Sequence, residues 1–221
     1  MKKTKEERKQ MSEKKKLKRM TFLTSFITLI SFLYKAGLGV LTTSLVLIIA
    51  SISTLMVFIC KVVFVKNVLA TRDKKKKAYL IMAISILVYA LIFIAFVVLK
   101  VNGIDISNDK TYEGWLGSLL ILFMLVMFIL SCKKLHGALE KNDIMVIGLK
   151  EMTFVSALAD LVIIEEFISR IILEYKQIEI LVFINSYFSL AVGILMVVVG
   201  VIMLIRFSKY EVWHSINILN I

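Results

Sequence analysis

Long apolar runs recur along the chain and are separated by short segments in which charged and polar residues collect. A run of ~20 apolar residues is what an α-helix needs to cross the hydrocarbon core of a bilayer. The first apolar region is too long for one crossing, and the polar stretch Thr42-Thr43-Ser44 divides it into two. The pattern predicts six membrane-spanning helices, at Thr21–Leu41, Leu45–Val65, Tyr79–Leu99, Trp115–Cys132, Glu151–Leu173 and Ile180–Ile205.

The composition agrees with this pattern and excludes a soluble globular protein. Hydrophobic residues make up 59% of the 221 positions, and the chain has no proline. Its mean hydropathy is +0.88, whereas soluble domains contain roughly 45–50% apolar residues without such long runs. The predicted fold class is therefore all-α, a polytopic membrane helical bundle with six transmembrane helices.

Basic residues lie mostly on one side of the predicted spans, which predicts the orientation of the bundle. The formal net charge is +12, from 28 Lys and Arg against 16 Asp and Glu. Segments that would share a side with the N-terminus hold 22 of these bases, and segments on the other side hold three. Because cytoplasmic loops carry an excess of Lys and Arg, both termini are predicted to face the cytoplasm.

The chain divides into a basic cytoplasmic tail (residues 1–20), the six-helix domain (21–206) and a C-terminal tail (207–221) in the cytoplasm or on the membrane surface. The segment Lys2–Arg19 lies directly before the first span, where bases are attracted to anionic lipid. It has neither the interleaved aromatic residues nor the recognisable fold that nucleic-acid binding requires. The predicted location is the cell membrane, with anionic lipid as a partner and another membrane protein or a second copy of the chain as further candidates.

The fifth predicted helix carries charged residues within its apolar sequence. Ionisable residues inside a membrane are costly and indicate functional or structural sites. At about 100° per residue the polar positions form one stripe, in which Glu166, Arg170 and Glu174 are spaced for ion pairs along the helix. Asp160 cannot reach Arg170 and needs a partner from another span, water or a proton. The candidate ion- or proton-binding residues are Ser156, Asp160, Glu165 and Glu166.

Lys35 is the other charged residue placed deep in a predicted span. Its long side chain can extend to the outer interface, which leaves the ammonium in water. Alternatively, Lys35 pairs with Glu165 or Glu166, which are expected at a similar depth. Such a pair would neutralise both charges and fix the first helix to the fifth.

No catalytic site, metal site or cofactor site is predicted. Cys132 and His136 have i, i+4 spacing, but two ligands make a weak metal site. Cys60 and Cys132 fall at the cytoplasmic ends of their spans, where a disulfide is not expected.

The segment Tyr34–Thr54 (YKAGLGVLTTSLVLIIASIST) resembles the start of the cation diffusion facilitator transporters. That family has a lysine-glycine first helix, a short turn ending in Ser-Leu, six spans and both termini inside. The resemblance implies a metal site between the second and fifth helices, at positions that here are Ser53, Val57, Ser156 and Asp160. Of these, Asp160 is the one strong metal ligand, so the resemblance implies the scaffold without the zinc chemistry.

A second segment, Glu165-Glu166-Phe167-Ile168-Ser169-Arg170, resembles the Glu-Glu-x-x-x-Arg motif of the CAAX-type intramembrane proteases. In that family glutamate activates water with help from histidine on a later helix. Here Val192 follows Phe188 at the position where that histidine would be needed. Because general acid–base catalysis needs a positioned partner, this departure disfavours hydrolysis.

Three functions remain open from the sequence. The first is a non-catalytic membrane module that binds a membrane partner or lipid and is held together by its charged residues. The second is an ion- or proton-coupled transporter that uses Asp160 with Glu165 and Glu166. The third is a degenerate CAAX-type intramembrane protease.

Overall fold

The computed structural model describes the backbone of residues 5–41, 44–102, 115–140, 143–176 and 180–219. Side chains are described for 11–41, 44–102, 121–140, 143–166, 168–169 and 185–209. The described residues form six α-helices, which confirms the predicted all-helical class. They are α1 (Lys5–Leu41), α2 (Leu45–Asn67), α3 (Arg72–Val101), α4 (Trp115–Leu139), α5 (Ile144–Lys176) and α6 (Ile180–Leu219).

Among the residues whose side chains are described, five stretches are long and apolar enough to cross a membrane: Met11–Leu41, Leu45–Asn67, Arg72–Val101, Ile121–Leu139 and Asn185–Lys209. They lie in α1, α2, α3, α4 and α6, and several such helices in one chain are typical of a multi-pass membrane protein. In α5 the apolar sequence is interrupted by Lys150, Glu151, Asp160, Glu165 and Glu166.

The helix ends follow the predicted break between α1 and α2, but five helices (α1, α3, α4, α5 and α6) extend well beyond the spans that the apolar pattern indicated. The backbone N–H of Ser44 donates to the carbonyl of Gly39 at 2.9 Å, directly where the chain turns into α2. In contrast, α1 begins at Lys5 rather than near Thr21. Lys, Arg, Glu and Gln are good helix formers, and no glycine or proline interrupts the basic segment, so the helix continues through it.

The other four extensions lie at the same end of the bundle. Helices α3 and α5 begin at Arg72 and Ile144, ahead of the expected Tyr79 and Glu151, and α4 and α6 continue to Leu139 and Leu219. The ammonium of Lys14 lies 3.5 Å from a carboxylate oxygen of Asp143, next to the start of α5. We call this the N-terminal end of the bundle, because α1, α3 and α5 begin there and α2, α4 and α6 end there.

Helix α5 is the central helix of the described bundle. It packs against α2, α3, α4 and α6, while α1 packs against α2, and α3 and α6 form a close pair. Most of its described side chains are buried, whereas α1 and α4 expose many large apolar side chains. An apolar side chain that faces lipid carries no desolvation cost, whereas a charged one does. The helix with the most charged residues within its predicted span, α5, is accordingly the one placed inside.

Two glycines allow α6 to approach α3 closely. A Cβ atom on Gly193 would lie 2.7 Å from Ile94 Cγ1, and one on Gly200 would lie 2.7 Å from Leu87 Cγ. Small residues at helix interfaces permit such packing in membranes. The two glycines thus hold α6 close to α3, and this arrangement determines which residues of α3 and α6 face α5.

We expect Gly200→Val to lower the stability of the folded protein by about 1–3 kcal/mol, because its side chain must displace Leu87 from a close-packed interface. Thermal unfolding in detergent measures this change. Val201→Ile, at a neighbouring exposed position of α6, is the control and should leave the melting temperature unchanged. Equal melting temperatures for the two variants would show that Gly200 is not needed for the α3–α6 contact.

Candidate functional site

Three carboxylates of α5 form ion pairs with bases on three different helices among the described residues. They lie at three depths along α5: Glu151 near the N-terminal end, Asp160 in the middle and Glu166 near the other end. Their partners are, in that order, Arg206 of α6, Lys35 of α1 and Lys100 of α3.

The middle pair joins α1 to α5. Lys35 Nζ lies 2.5 Å from Asp160 Oδ1 and donates a second hydrogen bond of 3.2 Å to Thr54 Oγ1 on α2. The side chains of Lys35 and Asp160 are only 5% and 12% exposed, so the ammonium does not extend to an interface. One lysine thus connects α1, α2 and α5 at the centre of the bundle.

The expected pairing of Lys35 with Glu165 or Glu166 is wrong. Glu166 is six residues beyond Asp160, which moves it about 9 Å along the axis and about 120° around the helix. Asp160 therefore faces α1 and α2 while Glu166 faces α3. Helical spacing alone predicts one polar stripe on α5, because it contains no information about the neighbouring helices. The central position of α5 gives each side chain a different neighbouring helix.

The pair at the far end joins α3 to α5. Lys100 Nζ lies 2.5 Å from Glu166 Oε1, and the Glu166 side chain is almost fully buried. Its neighbour Glu165 accepts a 2.8 Å hydrogen bond from Ser169 Oγ one turn later. The predicted ion pairs of Glu166 with Arg170 and of Arg170 with Glu174 stay predictions, because the side chains of Arg170 and Glu174 lie outside the described residues.

The pair at the N-terminal end joins α3, α5 and α6. Arg206 Nη1 donates to Glu151 Oε1 and, at 3.5 Å, to the hydroxyl of Tyr79. The Tyr79 hydroxyl donates to Glu151 Oε2 at 3.3 Å, so both carboxylate oxygens of Glu151 are bonded. Glu151 and Tyr79 are buried.

Sequence reasoning missed Glu151, Arg206 and Lys100 as members of ion pairs. Each lies at the edge of a predicted span, where a charge is ordinarily explained by the interface. Lys100 and Arg206 each follow an apolar run in an unbroken helix, and this pattern fits an interface charge as well as an ion pair, so no local signal distinguishes the two.

The positions that the transporter resemblance assigns to a metal lie together around Asp160. Ser53 Oγ of α2 is 3.1 Å from Ser156 Oγ of α5, and Ser156 precedes Asp160 by one helical turn. Val57 lines the same side of α2. The cation that neutralises Asp160 here is the ammonium of Lys35.

A partly open cleft runs from this pair toward the N-terminal end of the bundle. Its walls are α1 and α4, its floor is α2 and α5, and its volume is about 90 Å³. Such a volume holds about three water molecules. The lining polar residues are Thr28, Ser31, Lys35, Thr54, Lys61, Ser131, Thr153, Ser156 and Asp160, and apolar side chains make up most of the remaining surface.

Two buried oxygen atoms have no hydrogen-bond partner among the described residues. They are Oε2 of Glu165 and Oδ1 of Asn185, both in the half of the bundle that is far from its N-terminal end. Glu165 is thus the sequence-predicted candidate whose carboxylate is only partly satisfied.

Among the residues that the structure describes, no three His, Cys, Asp or Glu side chains lie close enough to hold a metal ion. His136 is exposed and lies 3.6 Å from Glu140, while Cys132 is half-buried. The two glutamates of the protease-like motif bond to Lys100 and Ser169, as described above. The other histidine of the chain, His214, falls outside the described side chains.

No family model matches this chain, and neither a curated protein nor a solved structure is similar enough to match it.

Proposed function

We propose that the chain is a non-catalytic multi-pass membrane module that binds a membrane partner or lipid, and that the charged residues of α5 hold its six helices together. In this proposal all six helices cross the cell membrane and the N-terminal end of the bundle faces the cytoplasm. The excess of bases at that end supports this orientation. The basic segment before the first span supports anionic lipid as a partner.

The observation that carries the proposal is the Lys35–Asp160 pair. A charge at the centre of a bilayer costs roughly 2.5–3.5 kcal/mol even by the mildest scale, and here two opposite charges neutralise each other in a buried contact. The pair also bonds Thr54, so the ammonium has an acceptor on both neighbouring helices. Because the carboxylate of Asp160 is already neutralised by the ammonium of Lys35, a structural role for this pair is favoured over ion binding.

The transporter resemblance supports the same conclusion. It assigns a metal to the surroundings of Ser53, Val57, Ser156 and Asp160, and three of these four residues lack a charged ligand atom. Lys35 brings a tethered ammonium to the single carboxylate. In a bundle that descends from such a scaffold, this ammonium replaces the transported cation.

A flux measurement in proteoliposomes tests the proposal. We expect proton and Zn²⁺ flux through the wild-type protein to equal that through Lys35→Met/Asp160→Leu, in which the pair is replaced by apolar side chains of similar size. Protein-free vesicles give the background leak. Asp160→Asn is the second variant, because it keeps the side-chain shape. Flux above background that disappears in both variants would contradict a non-transporting module.

Ion- or proton-coupled transport through Asp160 and Glu165 or Glu166 is the second candidate function. The cleft favours it, because Asp160, Ser156 and Lys35 all line a space that is large enough for water. The partly satisfied carboxylate of Glu165 also fits a group that takes up a proton. Under this alternative, loss of the Lys35–Asp160 pair would accompany each transport cycle.

A further inference from the structure

Three lysines from three helices lie near one another where the cleft reaches the N-terminal end of the bundle. Lys61 of α2 lines the cleft itself, as do Ser131 and Thr153. Lys134 of α4 and Lys150 of α5 each lie three residues from one of these, toward the N-terminal end. The charges of Lys134 and Lys150 both act on Lys61, and the charge of Lys134 acts on Lys150.

These three like charges have no carboxylate partner among the described residues. Lys14, Lys35, Lys100 and Arg206 all form ion pairs. Lys61 instead donates to two neutral oxygens of α1, the carbonyl of Thr24 at 3.1 Å and the hydroxyl of Thr28 at 2.5 Å.

Lys61 and Lys150 are also half-buried. A partly desolvated charge without a counter-charge costs free energy, so an anion placed between the three ammonium groups would be bound favourably.

Beyond the lysines the cleft is open on one side, and most of its surface is apolar, although the paired Lys35 and Asp160 also line it. Its rim includes Ile27 of α1 and Phe123 of α4, which are both more than half exposed, and Val57 and Ala157 lie deeper. Its volume of about 90 Å³ is far below the roughly 300–1,000 Å³ of pockets that enclose small soluble ligands. A lipid chain needs less enclosed volume, because the bilayer covers the side that the protein leaves open.

We propose that Lys61, Lys134 and Lys150 bind the phosphate of an anionic phospholipid whose acyl chain lies in the cleft between α1 and α4. Basic pockets between membrane helices bind such headgroups in general. This inference rests on the proposed function and names the lipid class and the site. It differs from attraction along the basic first segment, because the headgroup is held between helices and the chain has a defined place.

The full-length protein in detergent tests the site by native mass spectrometry with phosphatidylglycerol and phosphatidylcholine as probes. We expect wild-type protein to bind phosphatidylglycerol more tightly, and Lys134→Gln/Lys150→Gln to weaken this binding about tenfold or more. The matched control is Lys15→Gln/Lys18→Gln, which removes two charges from the first segment and should change the affinity less. Lys134→Gln alone, at an exposed position, keeps the test valid if the double variant does not fold.

A second arm tests the acyl chain. Ala157→Phe fills the deep part of the cleft and should also weaken phosphatidylglycerol binding, and inorganic phosphate at the same concentration should not displace the lipid. Equal binding by the lysine variant and its control, equal binding of the two lipids, or full displacement by phosphate would each overturn the site. Flux that depends on Asp160 would instead overturn the proposed function, so the two failures are distinguishable.

Discussion

Asp160→Leu is expected to destabilise the folded bundle by about 3–5 kcal/mol, the largest effect of any single substitution considered for this protein. The leucine itself fits an apolar interior, so the loss comes from Lys35. Its ammonium would remain buried with one neutral partner, Thr54. Titration of the unfolding transition with denaturing detergent measures the free energy of unfolding.

Replacing both partners is expected to restore most of that stability. In Lys35→Met/Asp160→Leu no buried charge is left, and apolar substitutes for a buried ion pair are often neutral or stabilising. A double-mutant cycle with the two single variants should therefore give a coupling energy of about 2 kcal/mol or more. Ser156→Ala, one turn from Asp160, is the control and should cost about 1 kcal/mol. Additive effects of the two single variants would contradict the pair.

Glu151→Leu is expected to have the second-largest effect, about 2–3 kcal/mol, because it leaves Arg206 and the Tyr79 hydroxyl without their shared acceptor. The effect is smaller than at Asp160 because Arg206 is 31% exposed, so water compensates part of its charge. Tyr79→Phe removes one neutral donor and should cost about 1 kcal/mol. The same unfolding titration measures both variants.

The order of these effects is itself a test of the arrangement. Glu151→Leu should lower the free energy of unfolding more than Tyr79→Phe does. The loss for Arg206→Gln should fall between the two, since this variant leaves Glu151 buried with the Tyr79 hydroxyl as its remaining partner. A cost for Tyr79→Phe equal to that for Glu151→Leu would mean that the ring packing of Tyr79, and not the ion pair, stabilises this end of the bundle.

Part of the site was predictable from particular residues. The spacing of apolar residues placed Asp160 deep in the fifth helix, and the absence of a base one turn away showed that its partner had to come from elsewhere. Lys35 was recognised as the other deep charge. The ends of the predicted spans indicate the depth of each residue only to within about two turns, which is enough to exchange Asp160 for Glu166 as the partner of Lys35.

Lys100 and Arg206 show a different limit. Both were explained as interface charges, since a base at the end of an apolar run ordinarily reaches water. The structure places them against α5 because α3 and α6 approach each other closely at Gly193 and Gly200 and together pack on α5. The residues next to Lys100 and Arg206 in the sequence do not indicate that α5 is the helix against which these two bases pack.

The sequence by itself determined the helices, the break between Leu41 and Leu45, and the presence of charges that need partners. These are local properties, because helix formation and preference for lipid depend on residues that are close together in the chain. The tertiary structure decided that α5 is central, that its carboxylates face three different helices, and that a cleft lies between α1 and α4. Those features depend on which helices become neighbours, and that choice is made by side-chain packing summed over the whole bundle.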